Sequence, residues 1–420
     1  MVNRACRREM NYPAFYGERL RLDDAVSRGG GTVGCRWFGT FVTDESGRLP
    51  ILGIHGAKPA CGDWVSGRLV PEGLGWVLSE AVIHANNRLG DGVPEDWVLE
   101  QKGVLEARQK MYRRIRNYFE TNGFLEVETP YRVLCPAVEP HLNAISAEGR
   151  FLITSPELHM KRLLGRGFEK IYQIARVFRG NEAGPLHLEE FTLLEWYRAW
   201  STPERLMKDC EGLVKGLSEE VGLRRVSESF ERISYRELFL NVTGLDPFGW
   251  LEDPAHAAQL RSLAQTRGFQ FIGSETMSEV VDGIFAVMVE PGLKDKGAVF
   301  VHGYPAWAAV LSRVHENGNA MVADRFELYL DGIEIGNAYH EETDPDINRE
   351  RLRSAEMERV AQGKECYPRD EGFLAVLDAG MPPASGIALG LDRLLMWLLD
   401  LKDISQTVAF RDKAMEPGKF

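Results

Sequence analysis

The sequence is poor in the features that mark zinc clusters and broad nucleic-acid surfaces. Lys and Arg together number 50 against 62 Asp and Glu, which gives a formal net charge of −12. This shortage of positive charge argues against non-specific binding to nucleic acid, although a local basic patch would still allow an RNA substrate. The cysteines contain no CxxC pair, which argues against zinc and favours free thiols in a reducing compartment; they are Cys6, Cys35, Cys61, Cys135, Cys210 and Cys366.

Long apolar runs are also missing. The stretch LLMWLLDL, which begins at Leu394, is too short to span a bilayer. The N-terminus has Arg4, Arg7 and Arg8 but no apolar core behind them, so it does not resemble a secretory signal. These absences predict a cytoplasmic protein with no membrane association.

The chain has 420 residues, enough for two domains. Residues 1–97 are predicted to form a small β-rich, OB-like domain, because segments such as TVGCRWFGTFVT and GDWVSGRLV lie between Gly-, Asp- and Pro-containing turns. Such a domain would bind RNA, pack or dimerise. The stretch NNRLGDGVPEDW (86–97) is a predicted linker, and residues 98–420 form the second domain. Its helices are predicted up to a C-cap at Gly123 and over 157–164, 203–222 and 253–267.

The segment DRFELYLDGIEIGNAYHEE (324–342) predicts a β-hairpin, because its Asp-Gly pair at 331–332 suits a type I′ turn between alternating strands. Counting outward from this turn pairs Glu327 with Gly336 and puts Glu334 on the same polar face as Glu327, opposite an apolar face. The two carboxylates would lie roughly 7–8 Å apart at the backbone, near enough to share one Mg²⁺ with phosphate oxygens. A solvated face with incidental glutamates explains the hairpin equally well.

Near the C-terminus, ASGIALGLDRLLMWLL (384–399) alternates small and aliphatic residues before an amphipathic helix. Gly386, Ala388 and Gly390 on one face of a strand would let a flat ligand lie against the backbone. Arg393, just beyond the strand, suits a base or a phosphate. Close packing of helix on strand explains the glycines equally well.

Three elements stand in order along the chain: a helix and strand that end at Pro130, then RVFRGNEAGPLHLEEFTLLEWYRAW (176–200), then SGIALGLDR. Together they resemble the three signature motifs of the class II aminoacyl-tRNA synthetases. TSPELHMKRLL (154–164) and the hairpin segment point to the lysyl branch, and the resemblance runs from about residue 104 to residue 412. Within that branch the chain is most similar to truncated paralogs that attach (R)-β-lysine to a lysine of elongation factor P.

The resemblance implies an α+β fold, in which an antiparallel sheet is flanked by helices, and a homodimer joined through the first motif. It also implies ATP and Mg²⁺. Matched motif by motif, Arg179 corresponds to the catalytic arginine at the α-phosphate and the substrate carboxylate, and Arg393 to the arginine at the far phosphates. Glu327 and Glu334 correspond to the metal-binding carboxylates.

The same resemblance implies the remaining site residues. The nucleotide site would comprise Arg179, Asn181, Glu182, His187, Leu188, Glu334, Ile335, Gly390 and Arg393. The amino-acid site would comprise Ser155, Pro156, Glu157, Tyr197, Asn337, Glu341 and Ala388. Among these, Glu157, Tyr197 and Glu341 correspond to positions that hold the ammonium groups of the substrate.

Two departures from the family pattern bear on specificity. Ala388 stands where lysyl synthetases carry the middle glycine of the third motif, and one extra methyl is worth about 1–3 kcal/mol of discrimination. We expect it to disfavour α-lysine and to leave room for a β-amino acid; a tolerated exchange of small residues is the other interpretation. In the second motif, the order Arg179-Gly180-Asn181-Glu182 shifts the glutamate by one residue and leaves open whether Asn181 or Glu182 reaches adenine.

The sequence therefore predicts a ligase that activates lysine or (R)-β-lysine as an aminoacyl-adenylate and transfers it to elongation factor P. The alternative is a lysyl-tRNA synthetase with a reduced anticodon-binding domain, which would use tRNA(Lys). The acidic charge and Ala388 favour the first, and the N-terminal domain favours the second. A silent paralog is a third reading, against which the retained arginines and glutamates argue. The glycines at 29–31 precede a strand and are no dinucleotide fingerprint.

Overall fold

The structure is a computed structural model that describes residues 21–28, 30–37, 41–44, 47–56, 58–59, 63–85, 97–136, 139–227, 229–269, 275–294 and 296–409. Most of the predicted linker, residues 86–96, lies outside the described residues, as do Gly29, Cys6, Cys61 and the N-terminal arginines. The chain divides into two compact units, residues 1–103 and residues 104–420. Within the described ranges, no helix is both long enough and apolar enough to cross a membrane.

The described part of the N-terminal unit is a β-sheet with one short helix. The elements are α1 (Leu22–Ser27), β1 (Gly31–Trp37), β2 (Phe41–Asp44), β3 (Gly47–Pro50), β4 (Gly53–Ile54), β5 (Trp64–Glu72) and β6 (Gly75–Ala85). The strands form a six-stranded sheet in the order β3-β2-β1-β5-β6-β4, antiparallel except for β4 beside β6. Val33, Leu69 and Leu78 are completely buried with Ala25 of α1. The strands agree with the β-rich prediction, while the OB-like arrangement stays a prediction.

The helices that follow are α2 (Trp97–Thr121), α3 (Glu157–Leu164), α4 (Pro203–Glu220), α5 (Tyr235–Thr243), α6 (Pro254–Thr266), α7 (Met277–Ile284), α8 (Pro345–Ala361), α9 (Glu371–Ala379) and α10 (Leu391–Leu398). A π-helical turn over Phe285–Val289 extends α7. The α2 helix forms because Met111, Ile115 and Phe119, four residues apart, are fully buried on one face. It ends near Gly123, whose φ of +73° confirms the predicted C-cap region.

The strands of the large unit are β7 (Leu125–Glu126), β8 (Arg132–Val133), β9 (Ser146–Ala147), β10 (Arg150–Leu152), β11 (Lys170–Phe178), β12 (Glu190–Ala199), β13 (Glu231–Ser234), β14 (Ala298–Pro305), β15 (Val314–Asn317), β16 (Ala320–Leu330), β17 (Ile333–His340) and β18 (Ala384–Gly390). The main sheet follows the order β13-β14-β16-β17-β18-β12-β11-β7, with β15 beside β16. All its pairs are antiparallel except the two outer ones, β13 with β14 and β7 with β11. The predicted antiparallel sheet with flanking helices is confirmed.

The main sheet has one face for the core and one for a cavity. Trp196 of β12, Phe326 and Leu328 of β16 and Ile387 of β18 point to the core, where they pack with buried residues of α2 and α4. The side chains that alternate with them point the other way. Because side chains alternate along a strand, Glu195, next to Trp196, lies on the opposite face and lines the cavity.

The β16–β17 hairpin corrects one predicted pairing. Its turn is the predicted one, since Asp331 and Gly332 have φ of +48° and +78°. Beyond Tyr329 opposite Glu334, however, the register shifts, and Glu327 lies opposite Asn337 rather than Gly336. The unmatched residue between them is Ile335, a β-bulge that period-two counting from the turn does not detect.

Candidate active site

A cavity of about 430 Å³ opens on the sheet face away from the core. Of the residues predicted for the site, only Asn181 and Pro156 are missing from its lining. Those present are Ser155, Glu157, Arg179, Glu182, His187, Leu188, Tyr197, Glu327, Glu334, Ile335, Asn337, Glu341, Ala388, Gly390 and Arg393. Residues from distant parts of the chain thus meet in one place, as the motifs predicted.

The hairpin bulge decides which side chains of β17 enter the cavity. Uninterrupted alternation after Glu334 would direct even-numbered residues to the cavity face. Because Ile335 is an extra residue in the strand, the phase changes, and Asn337, Tyr339 and Glu341 share the cavity with Glu334. Ile335 packs with the core cluster and also forms part of the cavity lining. One bulge therefore places the carboxylates of Glu334 and Glu341 in the same cavity.

Arg393 is fixed at one end of the cavity by contacts to two other segments. Its Nη1 donates to the Glu334 carbonyl oxygen at 2.9 Å and lies 3.3 Å from Glu334 Oε2. Its Nε donates to the Leu186 carbonyl at 3.1 Å, and its Nη2 lies 2.7 Å from His187 Nε2. Burial and the Arg393 charge lower the pKa of His187, so the ring is neutral and can accept this hydrogen bond.

The start of α10 is held by a buried aspartate. Asp392 Oδ2 accepts from the Thr192 backbone N–H at 2.7 Å, and Oδ1 accepts from Arg108 of α2. Asp392 is 1% exposed. Strand β12 and helix α2 therefore fix the helix turn from which Arg393 projects, which pre-organises this arginine before any ligand binds.

Arg179 extends from the end of β11 into the same end of the cavity. Its guanidinium carbon lies 5.1 Å from the centre of the Phe191 ring, a cation–π contact. The nearest carboxylate oxygen, on Glu182, is 3.9 Å from Nη1, and the buried Nε has no hydrogen-bond acceptor among the described residues. Its donors are therefore available to an anionic ligand.

The carboxylates of the hairpin differ in how they are held. Glu327 is 7% exposed, and its Oε2 accepts from the hydroxyls of Tyr304 and Tyr329, both at 2.6 Å, while Oε1 pairs with Arg325. Glu334 is more open. Burial and the charge of Glu327 raise the pKa of Glu334, although neighbouring arginines oppose this. Two carboxylates thus face one cavity with part of their repulsion uncompensated.

Glu327 and Glu334 fit a Mg²⁺ ion that takes its remaining ligands from water and substrate phosphates. In the parts of the chain that the structure describes, no group of three or more His, Cys, Asp or Glu residues could hold a metal ion. Mg²⁺ is usually bound by one or two carboxylates together with waters and substrate phosphates. Glu327 and Glu334 supply this kind of oxygen donor, and their mutual repulsion is what a cation would relieve.

The other end of the cavity is built around a buried lysine that the sequence analysis did not select. Lys161 Nζ lies 2.7 Å from Glu157 Oε1 and 2.6 Å from Glu341 Oε2. Burial raises the pKa of Glu341 to about 7 despite the opposing effect of Lys161. The spacing of Glu157 and Lys161 on α3, one helical turn apart, was the available signal.

Glu195 is a second residue that the sequence analysis missed. It is completely buried, and its carboxylate accepts from Ser155 Oγ at 2.7 Å and from the Tyr197 hydroxyl at 3.1 Å. Burial, then the charge of Glu157, raise its pKa to about 8. Its position two residues before Tyr197 on β12 put it on the same face, so alternation could have found it.

The floor of this end is made from small residues of β18. A Cβ on Gly386 would lie 2.1 Å from a Tyr197 ring carbon, so only glycine leaves room for that ring. Ala388 pairs with Glu195 on one side and with Asn337 on the other. Its methyl group therefore lies between two polar residues of the cavity, as expected for a residue on the pocket floor.

The two predicted residues outside the lining are Pro156 and Asn181. Pro156 directly precedes α3, and Ser155 Oγ accepts from the Glu157 backbone N–H at 3.0 Å. Asn181 is exposed with φ of +64°, and its N–H donates to Glu189 Oε1 at 2.8 Å. Glu182 lines the cavity whereas Asn181 does not, which favours Glu182 for the contact that the sequence left open.

The antiparallel sheet with flanking helices, and the ordered motifs that line its cavity, fit an enzyme of the class II synthetase type. The sequence profile of the family described as "tRNA synthetases class II (D, K and N)" matches residues 99–414. The chain belongs to this class II aminoacyl-tRNA synthetase family, which confirms the resemblance seen in the motifs.

Relatives within the family carry a more specific name. The chain is 36% identical over 318 residues to the elongation factor P–(R)-β-lysine ligase of Edwardsiella ictaluri. The matched region covers 73% of this chain and 94% of that protein. It is 35% identical over 313 residues to the ligase of the same name from Haemophilus influenzae, covering 72% and 93%. The Vibrio cholerae ligase of that name is 35% identical over 318 residues, covering 73% and 94%.

Proposed function

We propose that the protein activates lysine or (R)-β-lysine with ATP, as an aminoacyl-adenylate, and transfers the acyl group to a lysine of elongation factor P. The observation that carries the proposal is that one cavity has two arginines beside a carboxylate pair at one end and a cluster of buried carboxylates at the other. Arg179 and Arg393 line one end, and Glu157, Glu195 and Glu341 line the other. Such a cavity suits a polyphosphate at one end and an amino acid with two ammonium groups at the other.

The reaction brings two anions together. The substrate carboxylate attacks the α-phosphorus of ATP, a P–O bond forms, and the bond to the departing pyrophosphate breaks. The planar guanidinium of Arg179 can donate to oxygens of both partners and offset their repulsion. Arg393 is suited to the far phosphates. The carboxylate is already ionised, so no general base is needed, and positioning with charge stabilisation carries the rate.

Mg²⁺ would be held by Glu327 and Glu334 together with phosphate oxygens, and it would supply neutralisation of the pyrophosphate charge. The three donors on Glu327 keep its carboxylate in one orientation. Glu334 also contacts Arg393, so a carboxylate that would bind the metal lies next to the arginine that would bind the far phosphates.

The other predicted roles follow the same division. Glu182, His187, Leu188, Ile335 and Gly390 would contact the nucleotide, with Glu182 at the adenine edge. Ser155, Tyr197, Asn337 and Ala388 would contact the amino acid. Pro156 and Asn181 would act through the backbone of their turns, because neither lines the cavity.

The identity of the acceptor rests on the relatives. Three relatives that match three quarters of this chain are named for elongation factor P and (R)-β-lysine. The second candidate is lysyl-tRNA synthetase, favoured by one observation: a six-stranded β unit precedes the catalytic region, where an anticodon-binding domain would stand. A cytoplasmic location and a homodimer remain part of this proposal.

The decisive experiment offers both acceptors to the same enzyme. Purified protein is incubated with ATP, Mg²⁺ and labelled α- or β-lysine, then with elongation factor P or with tRNA(Lys). Labelling of elongation factor P at a lysine supports the proposal. Labelling of tRNA alone would replace it with the second candidate, and labelling of neither, without ATP–pyrophosphate exchange, would favour a silent paralog. Sedimentation of the same sample tests the homodimer.

A further inference from the structure

Lys161 is a buried cation behind the ammonium end of the cavity. Its side chain is 1% exposed, and it does not line the cavity itself. Its Nζ lies within 2.7 Å of Glu157 and Glu341 and 5.9 Å from the centre of the Tyr339 ring. Since α3 supplies Lys161 and the segment after β17 supplies Glu341, the ammonium joins two separate elements of the fold.

Lys161 contacts one oxygen of each carboxylate: its Nζ donates a hydrogen bond to Glu157 Oε1 and forms an ion pair with Glu341 Oε2. Glu341 Oε1 is buried without a hydrogen-bond donor among the described residues, and it lies 3.0 Å from the position of a Cβ on Gly386, at the cavity floor. A buried carboxylate oxygen without a donor is costly, so this atom is a ready position for a ligand ammonium.

The charges at this end can be counted. Glu157, Glu195 and Glu341 are three buried carboxylates, and Lys161 is a buried cation that forms ion pairs with two of them. Full ionisation would leave two negative charges, which equals the two ammonium groups of a diamino acid. Glu139, only partly buried, adds a weaker charge that solvent screens.

The tyrosines at this end do not alter the count. Burial raises the pKa of both Tyr197 and Tyr339, so their hydroxyls stay neutral. The carboxylate charges therefore depend on Lys161 and on the ligand.

We propose that Lys161 is a positioning residue that aims one oxygen of Glu157 and one of Glu341 into the cavity and fixes the charge there, which makes the site select a substrate with two ammonium groups. The inference rests on the proposed function and adds a residue to it. Without Lys161, the two carboxylates repel each other, and each keeps a proton to a higher pH.

The test measures ATP–pyrophosphate exchange from pH 6 to pH 9.5 with the lysine isomer that the wild type prefers, and with norleucine, which lacks the second ammonium. The variants are Lys161→Met and, as a matched control, Lys208→Met, an exposed lysine on α4 outside the cavity. ATP–pyrophosphate exchange by the wild type tests the proposed function by itself, before any variant is compared.

For Lys161→Met we expect the KM for lysine to rise about 10- to 100-fold near neutral pH, as for a lost hydrogen bond to a charged group. This defect should shrink as pH rises, because the carboxylates then ionise without the lysine. The kcat and the KM for ATP should stay within about threefold, since the contact is remote from the phosphates. The preference for lysine over norleucine should fall.

An unchanged lysine KM in Lys161→Met would overturn the inference, as would a loss that is equal at every pH and for both amino acids. Should that variant fail to fold, Glu157→Gln and the double variant Glu157→Gln/Lys161→Met replace it, because the double variant leaves one carboxylate partner of Lys161, Glu341, without its cation instead of two. If the inference holds, the lysine KM is higher in the double variant than in Glu157→Gln, because Glu341 has also lost its contact with Lys161. Equal values would refute it.

Discussion

The two ends of the cavity hold their charges in different ways. Arg179 and Arg393 keep 26% and 22% of their side chains exposed, whereas Lys161 and Glu341 at the other end are each 1% exposed. Guanidinium groups stay charged at every working pH, so Arg179 and Arg393 can bind and release a polyanion with their own charge unchanged. Carboxylates in a dry pocket resist ionisation until a cation arrives. The buried end therefore holds the carboxylates whose pKa values lie near or above neutrality, those of Glu341 and Glu195.

The largest effect is expected at the arginine end. Arg179→Ala should lower the rate of adenylate formation about 100- to 1,000-fold, because a donor to the charge that develops in the transition state is lost. Single-turnover pyrophosphate release measures it. Arg176→Ala is the matched control, an arginine on the same strand that is 47% exposed and does not line the cavity; it should stay within about threefold. Equal losses in both variants would remove Arg179 from its proposed role.

Glu341→Gln should damage the buried end alone. We expect the lysine KM to rise about 10- to 100-fold while the KM for ATP is unchanged, since a charged partner of the ammonium is replaced by a neutral one. The control is Glu342→Gln, the next residue, which does not line the cavity and accepts from the Asp344 backbone N–H at 3.0 Å. A rise in the ATP KM as large as that for lysine would show that the two ends are not independent.

Ala388→Gly should change selectivity more than rate. Removing the methyl between Glu195 and Asn337 is expected to move the preference between α- and β-lysine about tenfold toward the α-isomer, within the 1–3 kcal/mol that one carbon is worth. The measurement is kcat/KM for both isomers in ATP–pyrophosphate exchange. A ratio that does not change would mean that the alanine is a tolerated exchange.

The smallest effect concerns Glu195, whose pKa burial raises to about 8. The protonated form is the one that the fold favours, so its contribution to stability is complete below the ordinary pKa of 4.5 and is lost as pH rises toward 8. Glu195→Gln cannot ionise. Its melting temperature should therefore exceed that of the wild type by a few degrees at pH 8.5, with a smaller difference at pH 5.

The same variant tests function at this residue. In the wild type, the lysine KM should fall as pH rises toward 8, because Glu195 ionises to meet an ammonium. In Glu195→Gln this part of the pH dependence should be absent. Thermal unfolding and exchange kinetics over one pH series check both outcomes, and a wild-type KM independent of pH between 6.5 and 8.5 would contradict them.

Much of the architecture could be predicted because it depends on local patterns. The buried face of α2 follows from Met111, Ile115 and Phe119 at helical spacing. The hairpin turn follows from the backbone preferences of Asp331 and Gly332. The positions of Arg179 and Arg393 followed from the family motifs, and the cavity that they share agrees.

Other features depended on partners that are distant in the chain. The bulge at Ile335 changes the phase of β17, and only pairing with β16 reveals it. Lys161 looked like one more helical lysine until the fold brought Glu341 against it.

The sequence by itself determined helices such as α2, α3 and α4, the position of the hairpin turn and which side chains can carry charge, because these follow from patterns along one chain. Only the tertiary structure decided which carboxylates are buried together and which have a cation beside them. The reason is physical: the free energy of a charge depends on the water and the charges around it, and folding sets both.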